Sequence, residues 1–140
     1  MKLAVVGSRN FSDYAWMEHC LLRRFSVEEI DAVISGGAKG ADALAARFAE
    51  SHGLPLLVVP ADWKAHGKKA GPLRNADIVA RADALVAFWD GVSRGTRDAM
   101  VKARLAGKRV EVFPCARAAG VLIADEADAS APSKEAKDQH

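Results

Sequence analysis

Five short apolar runs, separated by stretches with helical spacing, limit the folds open to this chain more than any other feature. The runs are Leu3 to Val6, Ala32 to Ile34, Leu56 to Val59, Ala84 to Phe88 and Val110 to Phe113. Most are near-continuously apolar rather than alternating, which is how strands covered on both faces read. Parallel neighbours need crossover helices. Asp13 to Phe25, with Met17, Cys20, Leu21 and Phe25 on one face, and Ala41 to Ser51, with Leu44, Ala45, Phe48 and Ala49, have that periodicity. Pro72 to Arg81 and Thr96 to Ala106, the latter stopped by Gly107, predict two more. The alternation specifies an α/β chain: a Rossmann-like three-layer αβα domain around a mostly parallel five-stranded sheet.

At 140 residues, 50% of them hydrophobic, the chain has material for one well-filled core and not for two domains. The periodicity fades after Pro114, so the domain is placed at 1–124 and the remainder, 125–140, is expected to be an acidic, disordered tail. That tail carries Asp125, Glu126, Asp128, Glu135 and Asp138 against Lys134 and Lys137, which leaves the body 18 basic against 13 acidic side chains. Such an excess suits a small phosphorylated anion better than a nucleic-acid duplex. Cys20 and Cys115 show neither disulfide nor zinc spacing, no apolar run reaches the ~18 residues of a membrane span, and no signal peptide is evident. A cytoplasmic protein without metal or cofactor is expected.

The segments between strand ends and helix starts carry the chemistry. Gly7-Ser8-Arg9-Asn10, Ser35-Gly36-Gly37-Ala38-Lys39-Gly40-Ala41-Asp42, Pro60-Ala61-Asp62-Trp63 and Trp89-Asp90-Gly91-Val92-Ser93-Arg94-Gly95-Thr96 all leave the carboxyl edge of the sheet, where open α/β folds bind ligands. Glycines let backbone N–H groups approach an anion, and the adjoining helix starts add partial positive charge. Neither the P-loop pattern nor GxGxxG is present. The candidate ligand-binding residues are Gly7, Ser8 and Arg9; Ser35, Gly36, Gly37, Lys39, Gly40 and Asp42; Trp63; Arg74 and Asn75; and Asp90, Ser93, Gly95 and Thr96. Asp42 and Asp90 are also placed to cap helix N-termini. Trp63 and Trp89 are expected to wall a base or ribose, and of the histidines only His66 is placed to titrate at a site.

These loops, together with Phe11 and Gly67-Lys68-Lys69-Ala70-Gly71-Pro72-Leu73-Arg74-Asn75, resemble the YspA-type, cpYpsA-related branch of the SLOG superfamily over Leu3 to about Pro114. The resemblance implies a domain that binds nucleotides or nucleotide-derived, ADP-ribose-like ligands, as sensor or sequestering module, commonly as a homo-oligomer (dimer or tetramer). Relatives in the superfamily include the Lonely Guy phosphoribohydrolases and the single-stranded-DNA-binding DNA-processing protein A. The phosphoribohydrolase pattern PGGxGTxxE survives here as Gly95-Thr96, with Gly91-Val92-Ser93 for PGG and Ala99 for the glutamate; Asp98, one position away, is turned about 100° around a helix. Arg74 matches that family's arginine but precedes Asn75 rather than lysine. Binding is therefore the first expectation. N-glycosidic hydrolysis using Asp98, Asp90 or Asp42 is the alternative, and single-stranded nucleic-acid binding through Lys64, Lys68, Lys69, Arg74, Arg94 and Arg97 is a third.

Overall fold

A computed structural model describes residues 1–124; the acidic segment 125–140, expected to be a disordered tail, lies outside the described residues. Strands β1 (Lys2–Gly7), β2 (Ala32–Ser35), β3 (Leu56–Val58), β4 (Ala84–Trp89) and β5 (Arg109–Pro114) make one sheet in the order β3-β2-β1-β4-β5. Every neighbouring pair is parallel, with Leu3 of β1 opposite Val33 on one side and Ala84 on the other. The crossovers are made by α1 (Tyr14–Arg24), α2 (Ala41–Ser51), the short α3 (Trp63–His66), α4 (Ala70–Arg81) and α5 (Arg94–Leu105).

Alternate residues of a strand face opposite sides, so β1 serves two cores. Leu3 and Val5 pack with Met17, Leu21 and Phe48 under α1 and α2, while Ala4 and Val6 pack with Ile78, Ala99 and Met100 under α4 and α5. Phe88 of β4 stacks between Phe11 and Phe113, with ring centroids 4.9 and 5.6 Å away, and burying such a ring contributes about 1.5–3 kcal/mol. Helix α1 starts where the Asp13 carboxylate accepts the Trp16 N–H at 3.1 Å, and Arg117 anchors that cap at 2.7 Å, clamping the chain after β5 onto α1.

The outline matches the expectation, and three details differ. Helix α5 begins at Arg94 rather than Thr96, because Asp90 draws in the preceding turn, and this places Gly95 inside the first helical turn. Helix α4 begins at Ala70, after α3 and a 3₁₀ turn over Gly67–Lys69, because Gly67 with φ +55° bends the chain between them. Trp89 belongs to β4 rather than to the loop after it. Its indole N–H donates to the Ser93 carbonyl at 3.0 Å and its ring packs on the α4/α5 core, so it fastens a turn instead of walling a ligand.

Candidate functional site

From β1 the chain builds outward through β2 and β3, then returns to β1's other side for β4 and β5. Loops leaving β1 and β4 therefore diverge, and a crevice opens where the winding reverses. A cleft of about 290 Å³ lies there, lined by Val6–Asn10, by Gly36, Ala38 and Asp42, by Arg74, Asn75 and Ile78 of α4, and by Asp90 and Ser93–Thr96.

Two glycines let the chain close up beside it. A Cβ on Gly7 would stand 2.6 Å from the Phe88 carbonyl oxygen, and one on Gly40, where φ is +69°, would overlap the carbonyl oxygens of Ser8 and Arg9. With both bare, Ala41 N–H donates to the Ser8 carbonyl and Ser8 N–H to the Phe88 carbonyl, each at 3.1 Å, locking the first loop against α2 and β4.

The second loop is partly satisfied by its own side chains. Gly37 N–H donates to Ser35 Oγ at 3.2 Å, and Ala38 N–H donates to Asp42 Oδ2 at 3.0 Å. Burial pushes the Asp42 carboxyl above its ordinary range, against the pull of the Ala38 and Gly36 N–H groups and of the Arg74 and Arg9 charges. Arg74 donates from Nη1 to the Gly36 carbonyl at 3.0 Å and from Nε to Asn75 Oδ1 at 3.1 Å. Any side chain at Gly36 would overlap that guanidinium and come within 2.9 Å of Asp42 Oδ2. Buried Asn75 extends the chain of contacts to α5, donating from Nδ2 to the Gly95 carbonyl at 3.1 Å and to Asp98 Oδ2 at 3.0 Å.

The fourth loop is half satisfied. Asp90 Oδ1 accepts Ser93 N–H at 2.7 Å and Val92 N–H at 2.9 Å, while Oδ2 accepts the Ser93 hydroxyl at 2.7 Å; these bonds hold its carboxyl down at about 2. The N–H groups of Arg94, Gly95 and Thr96 open α5, where no helical carbonyl can reach them, and no other acceptor takes them among the described residues. They face the cleft beside the exposed Arg9 and Arg94 side chains, and a Cβ built on Gly95 meets nothing within 4 Å.

The model of the YspA, cpYpsA-related SLOG family matches residues 1–66, which run from β1 through α3 and include the first two loops. That segment is similar to this SLOG family. The chain is also 47% identical over 81 residues to the Gene 61 protein of Mycobacterium phage D29, a match taking in 54% of this chain and 65% of that protein. Among solved structures it is similar to DNA processing protein A from Streptococcus pneumoniae (TM-score 0.66, 23% identity, 81% of this chain and 50% of that one). It is also similar to DNA processing protein A from Helicobacter pylori, whose structure is described as showing a single-stranded DNA binding mode (TM-score 0.63, 19% identity, 85% of this chain and 67% of that one). The chain thus spans about two thirds of the curated relative and half of the first of these structures, and the structural likeness establishes the α/β fold.

Of the residues singled out in the sequence, this fold brings Gly7, Ser8, Arg9, Gly36, Asp42, Arg74, Asn75, Asp90, Ser93, Gly95 and Thr96 around the one cleft. Five stand outside its lining: Ser35, buried and donating to the Asp42 carbonyl at 3.3 Å; Gly37; Lys39; Gly40; and Trp63, which opens α3 with 52% of its surface exposed. Asn10 and Ala38 line the cleft although sequence reasoning does not mark them as its ligands, and so does Arg94, named there only for nucleic-acid contact. Arg94 carries a readable signal, since it sits between a serine at a helix start and a glycine. The carboxylates fall into different settings. Asp98 is held by Lys102 at 2.6 Å and by Asn75, and does not line the cleft, while Ala99 is buried under α5, where a glutamate would have to enter the core. His66 lies on α3 outside the cleft, and His52 bonds Glu18 of α1 at 2.8 Å.

Proposed function

We propose that this chain binds a nucleotide or a nucleotide-derived ligand such as ADP-ribose, as a sensor or sequestering module, with a phosphate seated on the first turn of α5. The observation that carries the reading is Gly95. Its backbone is in the ordinary helical region, nothing in the protein occupies the place of its Cβ, and glycine in a helix costs about 0.5–1 kcal/mol against alanine. Neither fold nor packing asks for glycine there. A ligand that must lie against the backbone does, and the free N–H groups of Arg94, Gly95 and Thr96, with the Thr96 hydroxyl and the Arg9, Arg74 and Arg94 cations, fit an anion. Ser8, Asn10 and Asp42 stand across the cleft for ribose hydroxyls.

Calorimetry against mononucleotides, dinucleotides, cyclic nucleotides and ADP-ribose tests this. At least one is expected to bind, and Arg74→Ala to weaken it by about 1.5–3 kcal/mol, the worth of a hydrogen bond to a charged group. No heat from any of them contradicts it. We also propose a cytoplasmic homo-oligomer, a dimer or tetramer, for which exposed Leu56, Leu57 and Val58 on the sheet edge supply apolar surface. N-glycosidic hydrolysis draws less support, because Asp90 is consumed by its turn and Asp98 by Lys102. Single-stranded nucleic acid is the second reading, favoured by exposed Trp63 beside Lys64, Lys68 and Lys69. It requires oligonucleotide affinity that falls steeply with salt.

A further inference from the structure

We infer that Asn75 is a positioning residue: it fixes the Arg74 guanidinium in the cleft and leaves that cation unpaired for an anionic ligand, a task its isostere aspartate cannot perform. This rests on the nucleotide reading above and deepens it, by giving Asn75 a role other than ligand contact. Asn75 is buried, and both ends of its amide are engaged. Oδ1 accepts the Arg74 Nε–H at 3.1 Å, while Nδ2 donates to the Gly95 carbonyl at 3.1 Å and to Asp98 Oδ2 at 3.0 Å. These partners decide which end is which. Turned over, the amide would set N–H against N–H at Arg74 and oxygen against two oxygens at α5.

Neutral acceptors alone hold Arg74. Asn75 takes its Nε–H and the Gly36 carbonyl takes Nη1 at 3.0 Å, so the guanidinium plane is fixed from two sides. No carboxylate forms an ion pair with it among the described residues. Asp42 turns Oδ2 to the Ala38 N–H and feels the Arg74 charge only at longer range. Asp98, the carboxylate behind Asn75, is neutralised by Lys102 at 2.6 Å. The contacts running from α5 therefore deliver orientation to Arg74 and no net charge. Its remaining N–H groups have no acceptor among the described residues, and the side chain lines the cleft. Holding a long side chain in place beforehand removes an ordering cost that binding would otherwise carry. Aspartate at position 75 would keep an acceptor for Nε but pair with the cation, and it would set a second carboxylate against Asp98 and the Gly95 carbonyl.

The test follows Arg74 itself. In ¹⁵N spectra of the ligand-free full chain at neutral pH, the Arg74 Nε–H is expected to give a sharp, slowly exchanging signal, unlike those of the exposed Arg97 and Arg104, and Asn75→Ala is expected to remove it. Calorimetry with nucleoside 5′-monophosphates and ADP-ribose then forms a double-mutant cycle. Asn75→Ala is expected to weaken the tightest of these probes about tenfold, the worth of one hydrogen bond to a charged group, and to change it less than about twofold once Arg74 is alanine. Asn75→Asp is expected to keep the Nε–H signal and still lose about tenfold, which separates charge from geometry. Unchanged amide signals away from the cleft verify each variant's fold, and if Asn75→Ala does not fold, the wild-type signal and Asn75→Asp carry the test. An Arg74 Nε–H that exchanges as fast as that of Arg97, equal losses from Asn75→Ala in both backgrounds, or full affinity in Asn75→Asp each overturn the inference and leave nucleotide binding intact. No heat from any probe with the wild type overturns the nucleotide reading, and this role with it, whatever the Arg74 signal shows.

Discussion

Gly95→Ala separates a glycine kept for the fold from one kept for a ligand. The methyl group enters open space, and residue 95 has no left-handed backbone to strain, so nothing in the folded protein opposes it. Alanine removes backbone freedom from the unfolded chain and favours the helix, which predicts a gain of about 0.4–1 kcal/mol. At roughly 2.1 cal/mol/K of unfolding entropy per residue, a chain of this size should melt about 1.5–3.5 °C higher. If a phosphate lies against this first turn, the same methyl crowds it away from the free N–H groups of Arg94, Gly95 and Thr96. Losing one such bond weakens binding by about 1.5–3 kcal/mol, roughly tenfold to a hundredfold or more in dissociation constant. Thermal unfolding and calorimetry on the same preparation give both numbers. A variant that is less stable, or equally good at binding, refutes the placing of phosphate on α5.

Gly40→Ala should do the reverse, destabilising by roughly 2–5 kcal/mol in denaturant melts, because φ +69° is strained for alanine and the Cβ overlaps the Ser8 and Arg9 carbonyls; a loss under about 1 kcal/mol contradicts the packing described. Asp42 has a folded-state carboxyl raised above 3.8, so its ionised form costs stability at neutral pH and the folded state takes up a proton first as pH falls. Wild type should therefore gain on Asp42→Asn as pH drops from about 7 towards 4, in paired melts; a gap that stays constant or widens contradicts the burial. Asp13 has the opposite sign: its carboxyl is lowered chiefly by the hydrogen bond from Arg117, so its contribution is complete above pH 3.8 and is lost as pH falls through the folded value. Asp13→Ala should cost about 1 kcal/mol at neutral pH through the lost α1 cap, and clearly less at about pH 2.

The central strands β1, β2 and β4 are legible because burial on both faces demands uninterrupted apolar runs, while the runs of β3 and β5 mark edge strands that the structure leaves largely exposed. The convergence of loops is legible too, since parallel connections leave every strand's carboxyl end on one edge. What the chain conceals is which N–H groups remain free. Asp42 reads as a helix-start carboxylate, and only the fold shows it turning back four residues to the Ala38 N–H. Asp90 likewise looks like a cap or a ribose acceptor, whereas its two oxygens are spent on Val92 and Ser93. Ser93-Arg94-Gly95 reads as loop because glycine disfavours helix, which hides both the true start of α5 and the place of Arg94 in the cleft. Trp89 misleads for a related reason: an indole N–H partner four residues on depends on a turn whose closure is not visible in residue types.

The most direct test of a phosphate on α5 is mass spectrometry of the small molecules released when natively purified protein is denatured, with wild type and Gly95→Ala handled in parallel. A phosphate-bearing nucleotide from the wild type, strongly depleted in the variant, is the predicted result. A released compound without phosphate, or one recovered equally from both proteins, would contradict it.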